Sequence, residues 1–201
     1  FKLRFRVPNQ LVSHMDKIAT SLIFPCQKLE VLRSHLLPSL SHHLATGRTK
    51  KKELHVLDTE CRKFMAHIAN LPNHTIQEFF YSDRQIGGMG MFKLTDDADI
   101  WTLGRTTQLL TSKDLTVRGI FLEQLRNTIR RGLGVEPTYV LSSEVISAYM
   151  SGSSEGGMYR VRYAPRSIAN LWTLSRDAAG RLGARIDISG DVITRLVADD
   201  V

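Results

Sequence analysis

Two adjacent carboxylates, Asp96 and Asp97, are the residues of this chain best suited by type to metal-assisted chemistry, because paired aspartates can hold the two ions of phosphoryl transfer. Their neighbourhood predicts a different task. Leu94-Thr95-Asp96-Asp97 opens a stretch of helical periodicity and Asp99 follows closely. Carboxylates in a first helical turn accept free N–H groups and complement the helix dipole. Capping, not catalysis, is therefore expected of Asp96, Asp97 and Asp99. Gly87-Gly88-Met89-Gly90 could bring backbone N–H groups to a phosphate, but no lysine follows in the register of a nucleotide-hydrolysing loop, so the bare motif reads as a tight turn. All seven histidines fall within the first 74 residues. His42 and His43 are adjacent and diverge by ~100° on a helix, which disfavours a shared zinc. Cys26 and Cys61 form no CxxC pair and read as free thiols on apolar helical faces, in keeping with a reducing compartment. No Ser/His/Asp or Cys/His arrangement has local support. The expectation is a chain with no catalytic residue, metal or cofactor of its own.

The charge points to a polyanion. Lys and Arg number 27 against 20 Asp and Glu, a formal net charge of +7 over 201 residues, and the isoelectric point is about 9.6. Arg48-Thr49-Lys50-Lys51-Lys52 sits at a helix entry, where positive charge opposes the dipole, so it calls for another explanation, an anionic partner or plain loop solvation. Arg126, Arg130 and Arg131 share one predicted helix. With Arg160, Arg162 and Arg166 they give the second half several guanidinium groups suited to bidentate phosphate contact. Phe79-Phe80-Tyr81 could stack on bases, though consecutive helical positions point different ways and at least one ring must pack inward. Trp101 and Trp172 lie on apolar faces and are expected in the core. No run of ~18 apolar residues exists, so no helical membrane span is expected.

The elements that must position these groups are mainly α-helical. Leu11, Met15, Ile18, Ala19 and Leu22 recur at three and four, as on one helix face. Pro25 suits the first turn of a second helix, whose face carries Leu29, Leu32, Leu36, Leu40 and Leu44 and which Pro38 should kink. A third helix turns Leu54, Leu57, Cys61, Phe64, Met65 and Ile68 inward. Thr75 and Glu78 have capping-box spacing ahead of a short fourth helix. A fifth begins at Thr95 or Asp96 and carries Ile100, Leu103 and Leu110. Lysine is absent beyond Lys113, where a domain boundary is drawn: residues 1–112 form a helical bundle and residues 113–201 a smaller, mostly helical, arginine-rich domain. In the latter, Val117, Phe121, Leu125 and Ile129 mark a helix, and Ser142 or Ser143 caps a brief one. Ser151 to Gly157 reads as a flexible loop. Ser167 caps a helix bearing Ile168, Leu171, Trp172 and Leu182. Ala184 to Ile188 alternates as a short strand, and the tail from Ser189 reads as a last helix. The first residues, Phe1-Lys2-Leu3-Arg4, lack an initiator Met, as a segment of a longer polypeptide would.

Four ordered features resemble the thumbs of non-LTR retrotransposon reverse transcriptases, particularly the group encoding a restriction-like endonuclease. They are Gln27-Lys28-Leu29…Leu32-Arg33, then Leu36-Leu37-Pro38-Ser39-Leu40-Ser41-His42, then Leu57-Asp58…Arg62, then Phe80-Tyr81…Gly87-Gly88-Met89-Gly90. The last is similar to that family's GGLG turn, with Met89 in place of leucine. Tyr149-Met150-Ser151-Gly152 and Ser167-Ile168-Ala169-Asn170-Leu171-Trp172…Arg176 are similar to the linker that follows such thumbs. The resemblance implies a thumb gripping template–primer nucleic acid (an RNA–DNA hybrid or RNA) and a linker contacting element RNA or target DNA, during target-primed reverse transcription in the nucleus. It implies further partners in the palm, zinc-knuckle and endonuclease segments of the parent chain, which would carry the polymerase activity. Neither the palm's catalytic aspartates nor any knuckle cysteines occur here. The nucleic-acid contacts expected on this basis are Arg48, Lys50, Lys51, Lys52, Arg84, Gly87, Gly88, Gly90, Arg126, Arg130, Arg131, Arg160, Arg162 and Arg166. The competing expectation is a helical protein-interaction module whose basic patches are merely solvated.

Overall fold

A computed structural model of the chain describes residues 7–46, 50–72, 74–154, 158, 170–189 and 192–198. Arg48, Arg160, Arg162, Arg166, Ser167, Ile168 and the glycines at 156 and 157 lie outside the described residues, as does any expectation placed on them. The protein is mainly α-helical, and its contacts separate two compact units, Phe1–Ala98 and Asp99–Val201.

In the first unit, α1 (Val7–Thr20) buries Leu11 and Met15. The Leu22 expected on the same face is fully exposed, because the helix has already ended: the Ser21 hydroxyl donates to the Ile18 carbonyl and the chain turns outward. α2 (Pro25–Val31) starts on Pro25, with the Gln27 side-chain oxygen accepting from the Phe24 N–H at 3.1 Å. Cys26 is exposed rather than on an apolar face, whereas Cys61 is buried. Pro38 does not stop the helix. A π-helical turn over Leu32–Leu36 precedes it, in which the Leu37 N–H reaches back to the Leu32 carbonyl, and α3 (Leu37–Ser39) and α4 (Ser41–Thr46) carry the path on. A widened turn of this kind is one way a helix accommodates the missing proline N–H. Leu32, Leu36, Leu40 and Leu44 stay on the buried face throughout.

α5 (Lys51–Ile68) turns Leu54, Leu57, Asp58, Cys61 and Met65 into the same core. It ends at Asn70, whose φ of +51° suits Asn better than most non-glycine residues, with the Leu71 N–H returning to the Ala66 carbonyl. The capping box expected at Thr75 is absent, because its hydroxyl donates to the Pro72 carbonyl instead. α6 (Gln77–Tyr81) buries Phe80. A 3-10 turn, Arg84–Ile86, then leads through the glycine turn to α7 (Leu94–Leu110), which crosses the division between units.

In the second unit, α7 buries Asp99, Leu103, Thr106 and Leu110, spaced four, three and four. Ile100 and Trp101, expected inside, fall just off that stripe and are 56% and 43% exposed. Asp99 accepts both the Nε and Nη2 protons of Arg181 at 2.8 Å. α8 (Leu115–Leu133) is capped by Asp114, which accepts from the Thr116 and Val117 N–H groups, and it buries Leu122, Leu125 and Ile129. Ser142 caps α9 (Ser143–Met150). α10 (Leu171–Leu182) is capped by Asn170 and buries Trp172.

β1 (Ala184–Ser189) buries Ala184, Ile186 and Ile188 in alternation. The tail expected as a helix is instead β2 (Val192–Ala198), antiparallel to β1 with Ala184 opposite Ala198. A two-stranded ribbon leaves edges open. Here Ser147 on α9 and Ser151, the residue that caps its C-terminus, accept from the Ile188 and Ile186 N–H groups at 2.8 and 2.9 Å, so the end of the helix occupies the β1 edge.

Candidate nucleic-acid interface

The basic run divides by role. Lys50 is the extended residue that opens α5 and is exposed, as is Lys52. Lys51 turns back, and its ammonium donates to the Thr95 carbonyl at the start of α7. Two cations are thus presented at a helix N-terminus while a third is a tether. Positive charge at that end opposes the dipole, and an anion drawn there would relieve the opposition.

The first turn of α7 is organised by a residue that the periodicity of α5 did not single out. Asp58, 2% exposed, accepts from the Leu94 N–H at 2.8 Å and the Thr95 N–H at 3.2 Å. The helix begins at Leu94, ahead of the expected start, and Asp58 caps it from across the core. Asp96 pairs with Lys93 at 2.9 Å, and Asp97 is half-buried. Burial first, then the nearby Asp58 and Asp96 charges, raise the Asp97 carboxyl above its ordinary pKa. The signal for Asp58 was its position, one residue beyond Leu57 on the face shared with Leu54, Cys61 and Met65.

The glycine turn is a closed piece of backbone. Its N–H groups from Gly87 to Met91 donate to the carbonyls of Arg84, Asp83, Phe79, Ser82 and Phe80 in turn, at 2.8 to 3.1 Å. None of these donors is left to cradle a phosphate. Gly87 and Gly90 take positive φ, +91° and +62°. What the turn holds in place is Arg84, whose Nε approaches the Met89 carbonyl at 3.4 Å and whose Nη2 meets Glu30 at 2.8 Å. The Ser34 hydroxyl first, and Arg84 second, hold the Glu30 carboxyl below its ordinary pKa. This pair is half exposed on both sides, the setting in which an ion pair contributes little and can be exchanged for another anion.

Of the four arginines of α8, the three expected at the interface, Arg126, Arg130 and Arg131, have three different environments. Arg130 is committed inward: it reaches Glu123 at 2.9 Å, Asn127 at 3.0 Å and the Tyr139 carbonyl at 2.9 Å, with its side chain only 14% exposed. Arg126 approaches the same Glu123 at 4.0 Å. Arg131 is exposed and borders a cleft of about 310 Å³ with Asn127, Asn170 and the edge of Trp172. Of the aromatic trio, Phe80 is the ring packed inward, while Phe79 and Tyr81 are half-buried. Among the described residues, no group of three or more His, Cys, Asp or Glu is placed to hold a metal ion, and no helix is long and apolar enough to cross a membrane.

The chain is 28% identical over 172 residues to the Pol polyprotein of the type-2 retrotransposable element R2DM of Drosophila melanogaster, a match over 79% of this chain and 16% of that protein. Its homologues are R2 retrotransposon Pol polyproteins. A second, from a type-1 R2 element of Popillia japonica, is 30% identical over 84 residues, covering 42% of this chain and 19% of the relative. No protein-family model matches. The matched region spans less than a fifth of either R2 relative's length. The likeness supports a region related to a retrotransposon reverse transcriptase, which agrees with the ordered motifs of the sequence.

Proposed function

We propose that this chain is a non-catalytic nucleic-acid-binding segment of a retrotransposon reverse transcriptase. Residues 1–112 act as a thumb that grips template–primer duplex, and residues 113–201 as a linker contacting element RNA or target DNA. The observation that carries the reading is the exposure of Lys50 and Lys52 at the opening of α5 in a chain of net charge +7 whose homologues are R2 Pol polyproteins. Arg84 and Arg131 extend the set of reachable guanidinium groups. Arg130 belongs to the fold of α8 more than to a ligand, and the glycines act by holding Arg84.

Such a surface works by neutralising phosphates, which gives affinity with little preference for sequence. An A-like hybrid would be felt through its shape and wide minor groove. The thumb's contribution to synthesis is positioning: it keeps a primer end in register while a palm elsewhere in the polypeptide does the chemistry. The genomic target puts this work in the nucleus. Changing Lys50 and Lys52 to Glu should weaken binding to an RNA–DNA hybrid by roughly tenfold or more at low salt, since two phosphate contacts become repulsions. Fluorescence anisotropy measures this, and circular dichroism should remain that of the native chain. Wild-type affinity in the double variant would remove the α5 entry from the surface. Exposed Leu22 and Phe24, between α1 and α2, favour a second reading in which that loop meets another protein segment.

A further inference from the structure

We propose that a second groove, at the far end of α5 from Lys50 and Lys52, holds the sugar–phosphate backbone of one nucleic-acid strand. The proposal rests on the nucleic-acid reading above and adds to it a surface built from other residues.

The groove follows from helix geometry. Residues 59, 62, 63, 66, 67 and 70 recur at three, one, three, one and three, so they form one stripe along α5, on a different face from the buried Leu54, Leu57, Cys61 and Met65. Leu71, Pro72, Thr75 and Gln77 line the groove opposite that stripe, with Phe80 beside them. The enclosed space is about 430 Å³, within the range of ligand-binding clefts. From Thr59 to Asn70 at ~1.5 Å per residue the stripe is roughly 16 Å long, more than an isolated anion needs.

The chemistry of the walls selects a polyanion. Arg62, Lys63 and His67 line the groove, and no Asp or Glu does so among the described residues. Among the described residues, the Arg62 guanidinium donates to two neutral groups, the Tyr81 hydroxyl at 3.1 Å and the Thr59 hydroxyl at 3.1 Å. Neither hydroxyl carries a charge, so both orient the guanidinium without forming an ion pair with it. The guanidinium is thus oriented before a ligand arrives, which lowers the cost of binding. Lys63 pairs with Glu60 at 2.8 Å, but with 68% and 40% exposure that pair is easily exchanged for a phosphate. Asn70 and Gln77 supply amide donors and acceptors for sugar hydroxyls on the two walls.

The test is anisotropy with a labelled single-stranded RNA and with a hybrid duplex, for the wild-type chain, for the variant Lys63→Ala/His67→Ala, and for Arg62→Gln. The first variant changes two exposed side chains and leaves the core untouched. The second keeps donors toward Tyr81 while removing the charge. Each should weaken single-strand binding by roughly five- to twentyfold at low salt, and each lost contact should flatten the log K against log salt slope by about 0.7. Wild-type affinity and slope in both variants overturn the groove. If the Lys50/Lys52 change still weakens the hybrid in that case, the proposed function stands without it. A wild-type chain that binds no nucleic acid overturns both. Inorganic phosphate competing as strongly as the oligonucleotide would reassign the groove to a lone anion, and polyglutamate binding equally well would reassign it to an acidic protein.

Discussion

Replacing Asp58 with Ala is expected to cost the first unit about 3 kcal/mol, because it strips two buried N–H groups of a charged acceptor at once. Leu94 and Thr95, whose amides Asp58 receives, are 1% and 4% exposed, so water cannot take over without opening the core. Each bond to an ionised acceptor contributes roughly 1.5 to 3 kcal/mol, and the partial recovery allowed by fraying of the helix start brings the sum down. Asn at this position keeps one good acceptor and should lose about half as much. Urea denaturation of the three proteins gives the ranking directly. Equal stability of the Ala variant and the wild type would mean that Asp58 does not start α7.

The second large effect is expected at Gly88. A Cβ there would lie 2.2 Å from the Ser82 carbonyl oxygen and 2.5 Å from its carbon, both backbone atoms. That oxygen also accepts from the Gly90 N–H at 2.8 Å, so it cannot retreat without breaking the turn. Gly88→Val should therefore cost about 3 kcal/mol or more, at the upper end of what overpacking does. Arg84 should lose its fixed position along with the turn. The comparison with Gly87 identifies the cause. Gly87 has φ +91° and nothing within 4 Å of a built Cβ, so Gly87→Ala meets only conformational strain and should cost about 1 kcal/mol. Gly88 is needed for close approach and Gly87 for backbone conformation. Equal losses at the two positions, measured by thermal unfolding, would contradict that division.

The helices were legible where apolar residues recurred at three or four, as in Leu32, Leu36, Leu40 and Leu44, or Leu125 and Ile129, although Leu122 rather than Val117 or Phe121 completes the buried face of α8. Capping was legible where an Asp or Ser stood directly before the repeat, as Ser142 does. It was misread where the cap came from a distant element: Asp96 and Asp97 have the right local chemistry, yet Asp58 reaches the free amides first because packing brings α5 there. Ile100 and Trp101 show the same limit. Apolarity alone put them inside, while the polar Asp99 and Thr106 took the buried stripe by finding partners in Arg181 and Ser175. The tail from Ser189 reads as a helix in sequence, yet Val192–Ala198 forms the second strand of a ribbon because β1 offers it an edge.

The candidate surface was legible as charge but not as disposition. Lys50, Lys51 and Lys52 are indistinguishable by type, yet Lys51 is spent on the Thr95 carbonyl. Arg126, Arg130 and Arg131 are likewise one cluster in sequence and three environments in space, with Arg130 drawn inward by Glu123, Asn127 and the Tyr139 carbonyl. Arg62 stood in the sequence only as part of the Leu57-Asp58…Arg62 motif and not as a phosphate contact, because that role depends on two neutral hydroxyls and on a wall supplied by Leu71, Pro72, Thr75 and Gln77. Leu71-Pro72-Asn73 marks the end of the third helix in sequence, but not which of its faces the following residues return to.

Exposed cations that meet a phosphate backbone release counterions, so salt must weaken the binding. Titrating the chain into a labelled RNA–DNA hybrid between about 50 and 200 mM salt should give a log K that falls linearly with log salt, at about −0.9 for each phosphate neutralised. A slope of roughly −3 or steeper is expected. A flat line, or no measurable affinity at the lowest salt, would contradict it.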